Sequence, residues 1–388
     1  MKIKTEKSLK ILYFLGLSLA LAHALPSYIQ SSFLENYLSI SLLSIFFVVV
    51  NLISFFFILF YPHLILKKKN FNLTLKMALL SFLAFFFLSF FERNVWVLFF
   101  LFMLYSVTLN LLWINLDLFV EFFTKNKSTG KTRTVFYTFL NFGWVISPVL
   151  SAYLVKLNDY KFVFLISALV LIPFIFVLLK NKKILDIEPD FEKIDLKANF
   201  LKLFKNKNLR SIFILACFLQ IFYSSAVIYI PIYLHEYLGF SWSILGILFT
   251  IMLLPFILVE IPAGIIADRY LGEKEILSFG FAILISALFL FYFTNSVNPF
   301  VWGTILFMSR IGAALVEAMR ETYFFKIVDV KDMTLINLFR TSTPIGYLIG
   351  SLIGSIVVYL FSLQDLFLVV ALLFLCSFYF VTVLKDTK

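Results

Sequence analysis

Two cysteines in 388 residues cannot build a disulfide framework, and Cys217 and Cys376 both lie inside apolar runs. Three histidines are too few and too scattered for a zinc spacing. No P-loop or glycine-rich nucleotide motif is present, so ATP-driven transport would need a separate subunit. No cofactor and no metal are expected, and enzyme chemistry is disfavoured. Charge is also scarce: Asp, Glu, Lys and Arg together make up only 14% of the chain. Period-two alternation is missing as well, which excludes a transmembrane barrel of strands.

What the chain has instead is apolar side chain, 62% of its residues, with a mean hydropathy of +0.99. A water-soluble protein of this length lacks the polar residues to cover such a surface, so the solvent is lipid. Runs of 18 or more apolar residues recur, each long enough to cross a hydrocarbon core of about 30 Å as a helix. They fall at approximately 10–30, 39–62, 75–91, 95–122, 134–155, 162–179, 211–234, 242–266, 276–293, 299–323, 334–360 and 365–384. The start of the chain imitates a signal peptide, with lysines from Lys2 to Lys10 and then Ala22-His23-Ala24. The run continues through Pro26 to Ile29, however, and its loss would leave an odd number of spans.

The net charge of +11 does not indicate nucleic acid, because the charges sit in short loops between apolar runs. With the N-terminus in the cytoplasm, the inner segments hold 29 Lys and Arg and the outer loops three, Arg93, Lys156 and Lys161. Arg310 alone falls within a span. This asymmetry predicts a multi-pass inner-membrane protein with both termini cytoplasmic.

The long polar interruption from Lys180 to Arg210 predicts a six-helix bundle over 1–183, a cytoplasmic linker over 184–209 and a second bundle over 210–388. Within the linker, Phe200 to Lys205 reads either as a short basic interfacial helix or as plain solvated chain. A shift of 200 residues lays Pro62 on Pro262, Asp117 on Glu317 and Glu121 on Glu321. A shift of 205 lays Pro26 on Pro231 and Tyr28 on Tyr233. Two halves of one topology are a known transporter arrangement. The expected fold class is therefore all-α, twelve transmembrane helices in two pseudo-symmetric six-helix bundles.

The eighth span ends Glu260-Ile261-Pro262-Ala263-Gly264-Ile265-Ile266-Ala267-Asp268-Arg269-Tyr270-Leu271-Gly272-Glu273-Lys274. This resembles the signature loop of the major facilitator superfamily, with one extra residue before the second glycine and Glu273 where a basic residue is usual. The corresponding first-half loop, Pro62 to Lys69, lacks the pattern, so the latch that this resemblance implies would be confined to the second half. Gly264 is expected to permit close helix approach, Asp268 to accept charge-assisted bonds, and Arg269 and Lys274 to anchor the loop at headgroups. Gly346, Gly350 and Gly354, together with Gly143 and Pro148, resemble the small-residue spans of the same family. The resemblance implies a secondary transporter with spans one, four, seven and ten around a central cavity.

Ionisable groups inside spans are expensive and so are functional candidates. Arg310 lies roughly 16 Å into its span, near the midplane. It reads either as a ligand for a carboxylate or phosphate of the solute or as half of an internal ion pair. Its offset partner is Asn110, and His23, Tyr28, Trp113, Gln220, Tyr223 and Ser224 complete the cavity candidates. Glu317 with Glu321, and Asp117 with Glu121, stand one helical turn apart and share a face. Asp117, Glu260 and Glu317 are candidates for carrying a proton, or for gating ion pairs with Arg269, Arg320 or Arg340. The expected partners are a small-molecule solute, anionic or zwitterionic by preference, the lipid bilayer and protons; nucleic acid is excluded and a monomer suffices. The rival readings are a polytopic membrane enzyme, against which the short bare outer loops argue, and a carrier-like lipid flippase or sensor.

Overall fold

A computed structural model describes residues 2–67, 70–90, 94–123, 129–186, 196–328 and 333–385, with side chains described for these except 2–6, 62–67, 121, 129–134, 158, 196–199, 268, 333 and 334. Among the described residues there is helix and no strand, and twelve helices are long and apolar enough to cross a membrane. They are α1 (Lys2–Ser27), α2 (Ile40–Lys67), α3 (Asn70–Leu88), α4 (Val95–Phe123), α5 (Thr129–Asn158) and α6 (Tyr160–Lys180). The rest are α7 (Lys207–Ile232), α8 (Trp242–Leu258), α9 (Glu273–Phe293), α10 (Pro299–Ile327), α11 (Ser342–Leu360) and α12 (Asp365–Phe374), with the spans that begin at α7, α8 and α12 running on to Tyr237, Leu271 and Val383. Lipid offers no hydrogen bonds to backbone, so each crossing must close its own, and helices do. The twelve spans read from the sequence correspond one to one with these helices.

Polar residues mark where helices begin. Asn206 caps α7 by accepting from the backbone N–H groups of Asn208 and Leu209, and Asn298 caps α10 just ahead of Pro299. Proline marks the departures from ideal winding. Pro231 precedes a π-helical turn at Tyr233–Tyr237, and Pro255 precedes the break at Val259, after which the helix resumes over Glu260–Ile266. A second π-helical turn, Ala267–Leu271, carries the signature loop to Gly272, whose φ of 96° suits glycine.

The chain forms two compact units: residues through Phe33 with Phe56–Glu192, and Leu34–Phe55 with Lys193–Lys388. In the first unit α1 packs on α5 and α6, and α3 packs on α4 and α6. Gly143 makes the first of these approaches possible, since a Cβ there would stand 2.9 Å from the Ala20 Cβ. In the second unit α7 packs on α11, α9 on α10 and α12, and α8 on α10. The glycine face of α11 meets α7 as the sequence suggested. Cβ atoms added at Gly346 and Gly350 would lie 2.4 Å from the Gln220 Cβ and 2.1 Å from the Ser224 Oγ. Gly264 is different: a Cβ there would meet nothing within 4 Å, so the close approach expected of it is absent.

The linker holds a ten-residue helix, Leu196–Lys205, with Leu203 buried and Phe200, Leu201 and Phe204 exposed. That favours the amphipathic-helix reading over plain chain for this stretch, while linker residues 187–195 lie outside the described ones.

Candidate functional site

The second unit gathers charged residues from α10, the helix Glu260–Ile266 and the short helix Met333–Arg340, beside Tyr223 of α7. Arg310, twelfth residue of α10, is only 1% exposed. Its guanidinium lies over the Phe222 ring at 5.0 Å and the Tyr223 ring at 6.0 Å, both from α7. Among the described residues it makes no ion pair, and its Nη1 has no hydrogen-bond partner. An arginine stays charged in any protein environment, so a cation is held here by two ring faces and nothing anionic.

The Tyr223 hydroxyl donates to Oε2 of Glu317, two turns along α10 from Arg310. Arg320 Nη2 stands 3.7 Å from both Glu317 Oε1 and Glu321 Oε1. Arg340 Nη1 donates to Glu321 Oε1 at 2.7 Å. Two carboxylates are thus matched by two guanidinium groups. Glu260 stands within electrostatic reach of Glu317 and Glu321, yet among the described residues it has neither hydrogen bond nor ion pair. Among the described residues neither Arg310 nor Glu260 has a counter-charge, and Tyr223 lays its ring against Arg310 and its hydroxyl on Glu317.

In the first unit, Trp113 Nε1 donates to His23 Nδ1 at 3.0 Å, and Trp144 meets the same imidazole edge-on with ring centres 5.4 Å apart. His23 Nδ1 accepts this bond, so the neutral ring carries its hydrogen on Nε2. Tyr105 donates to Gln30 Oε1, and Asn115 Nδ2 donates to the Tyr61 hydroxyl at 2.6 Å.

The remaining candidates are dispersed. Tyr28, just past the end of α1, is buried, and Asn110 and Asp117 are half-buried on α4. Gln220 and Ser224 are buried in the α7–α11 contact. Arg269 is exposed in the π-helical turn, while the side chains of Asp268 and Glu121 lie outside the described ones. Lys274 does not reach out to headgroups as expected. Its ammonium donates to the Thr382 and Leu384 carbonyls at 3.2 Å each, satisfying backbone acceptors at the end of the last helix. Glu273, at the position usually basic, is buried and paired with Lys326.

Two features were not singled out from the sequence. Glu35, in the short helix Gln30–Glu35, shares an electrostatic environment with Glu236 in the π-helical turn after α7. Ser44 of α2 accepts a hydrogen bond from the Tyr229 hydroxyl at 2.8 Å. An acidic residue between two apolar runs reads as an ordinary loop charge, and only the packing of Leu34–Phe55 with the second unit reveals otherwise.

The family model described as the Major Facilitator Superfamily matches residues 11–331 and 243–388. No curated protein sequence matches the chain. Among solved structures the chain is similar to the nucleoside transporter NupG, with TM-score 0.74 and 16% identity over 98% of this chain and 100% of that one. It is also similar to a bacterial homologue of the human lysosomal transporter Spinster, described as inward-facing and unoccupied, with TM-score 0.73 and 11% identity over 98% and 97%. A third is a bacterial homologue of the human drug peptide transporters PepT1 and PepT2, with TM-score 0.72 and 12% identity over 97% of each chain. At such identities the likeness is one of fold.

Proposed function

The chain belongs to the major facilitator superfamily, and from that premise we propose that it moves a small anionic or zwitterionic solute by alternating access, coupled to protons. The membrane is the cytoplasmic one, with both termini inside, on the strength of the Lys and Arg distribution among the loops. The bundles over 1–183 and 210–388, joined by the linker 184–209, are the bodies that rock about a midplane site, and one copy of the chain suffices.

The observation that carries this reading is Arg310, buried in a span with Nη1 unpartnered and no anion beside it among the described residues. The effective penalty for dehydrating an ion is several kcal/mol, and cation–π contacts return roughly 2 kcal/mol. A carboxylate or phosphate brought by the solute offsets the remainder, and a guanidinium recognises either in its plane. Glu260 supplies the other half. A carboxyl with two carboxylate neighbours and no cation of its own can take up and release a proton as Glu317 and Glu321 change partners. Tyr223 connects the two, with its ring against Arg310 and its hydroxyl on Glu317.

A thermal-shift screen of the purified protein tests the anion site. Pyruvate, glutamate, citrate and inorganic phosphate are compared with choline and glucose, on the native chain and on Arg310→Ala. At least one anion raises the melting temperature of the native protein and leaves the variant unmoved. Stabilisation by choline alone, or equal anion effects on both proteins, contradicts the reading.

A further inference from the structure

The linker helix Leu196–Lys205 stops one residue short of α7, so it lies where a membrane span begins. It packs on α7 and on the short helix Met333–Arg340. Its sides meet different surroundings. Leu203 is buried, while Phe200, Leu201 and Phe204 are 51%, 46% and 37% exposed. At about 3.6 residues per turn these three apolar side chains share one flank, Lys202 stands on the other, and Lys205 points away from Leu203. Both lysines are exposed. The Phe200 and Phe204 rings lie 4.6 Å apart, and Phe204 also meets Phe213 of α7. A protein side, an apolar side and a basic side make the arrangement of a helix lying in the headgroup layer.

Charge decides which headgroups suit it. From Leu196 to Arg210 the sequence has Lys197, Lys202, Lys205, Lys207 and Arg210 and no acidic residue. The acids of the linker, from Asp186 to Asp195, all precede the helix. The linker is thus divided by sign, and an anionic surface attracts only its second part. Lys207 also opens α7, where the helix dipole disfavours a cation and no acidic residue stands in the first turn. A lipid phosphate beside it removes that conflict. The other neighbour of the linker helix ties this surface to the ion pairs. Met333–Arg340 is fastened to α10 at two points: Phe339 stacks on Phe324 with ring centres 3.9 Å apart, and Arg340 donates to Glu321. The Arg320 guanidinium lies 6.0 Å from the centre of the Phe339 ring. A shift of the short helix therefore disturbs both guanidinium groups that balance Glu317 and Glu321.

We propose that the linker helix is a sensor of anionic lipid: docked on a negatively charged leaflet, it holds Met333–Arg340 in place and keeps Arg340 on Glu321. Over neutral lipid the lysines lose their attraction, and the apolar flank alone retains the helix at the surface. Each lysine near an anionic leaflet is worth on the order of fivefold in the ratio of docked to lifted helix, and Lys202, Lys205 and Lys207 together on the order of a hundredfold. When the helix lifts, Met333–Arg340 loses the support of that side, and Arg340 parts from Glu321 more often. Anionic lipid thereby regulates the charge network of α10 without touching it. The inference needs only the assignment of α7 as a span, and it stands whether or not Arg310 binds a solute.

The test uses the full chain and no transported solute. Leu201→Cys carries a bimane label, with Cys217→Ser and Cys376→Ser removing the native thiols. The protein is placed in nanodiscs of phosphatidylcholine, alone or mixed with phosphatidylglycerol, that include lipids brominated in the acyl chain. Quenching by the bromolipids should rise with phosphatidylglycerol content and fall when salt is added. Lys202→Gln, Lys205→Gln and Lys207→Gln together should move half-maximal quenching to a higher phosphatidylglycerol content, whereas Arg at the same three positions should keep the native response. Hydrogen exchange of Met333–Arg340 in the same discs, followed by mass spectrometry, should slow severalfold with phosphatidylglycerol in the native chain and not in the triple Gln variant. Equal quenching in neutral and anionic discs, or an unaltered response in the triple Gln variant, overturns the lipid site. Lipid-dependent quenching with no change in the exchange of Met333–Arg340 overturns the coupling.

Discussion

Arg310 is the residue on which the proposed function rests. A guanidinium 1% exposed, stacked on Phe222 and Tyr223 and lacking an ion pair among the described residues, is a liability in the empty protein. Sites kept for binding commonly sacrifice stability, and this predicts an inverted mutational sign. Arg310→Met should raise the melting temperature of the ligand-free protein, by an amount corresponding to roughly 1–4 kcal/mol. If Arg310 instead belonged to a structural ion pair, the same change would destabilise by several kcal/mol, and thermal unfolding of the two purified proteins separates these cases. Both Arg310 and Glu317 stood out in the sequence as ionisable residues within a span. That Tyr223 links them did not, because its hydroxyl reaches Glu317 across a helix contact, and no spacing rule joins positions 94 residues apart.

Among the elements, α11 is the one whose role follows most directly from spacing. Three glycines at intervals of four make one smooth stripe, and α7 lies on it with Gln220, Ser224 and Tyr229 in register. A Cβ at Gly346 would come within 2.8 Å of the Cys217 backbone carbonyl, which cannot swing aside. Gly346→Ala should therefore lower stability by about 1–3 kcal/mol. Gly264→Ala, in open space, should be nearly silent in the same thermal unfolding measurement. Equal losses at both sites would mean that the α7–α11 approach is not tight. The signature loop teaches the complementary lesson. Its residue pattern was visible at Gly264 and Lys274, but the partners of Lys274, the Thr382 and Leu384 carbonyls, are 108 and 110 residues away. Sequence spacing identifies a loop of this kind; packing decides what each of its side chains touches.

At the scale of the whole molecule, helix number and placement were legible because lipid enforces them: a crossing needs about 20 apolar residues, and loops must hold the charge. Asn206 and Asn298 stand at helix starts for the same local reasons. The grouping of Leu34–Phe55 with the second unit was not legible, since nothing in an evenly apolar helix says which neighbour it prefers. The solute was not legible either, because solute specificity rests on a few atoms that no pattern of apolar runs or loop charges encodes. The most direct measurement of the central claim is uptake by proteoliposomes, under an inward proton gradient, from a defined mixture of organic anions, zwitterions, cations and sugars, read by mass spectrometry. The account predicts that at least one anion or zwitterion accumulates above protein-free vesicles, and that an uncoupler or Arg310→Gln abolishes the accumulation. Accumulation of cations or sugars alone, or anion uptake indifferent to both the gradient and Arg310, would contradict it.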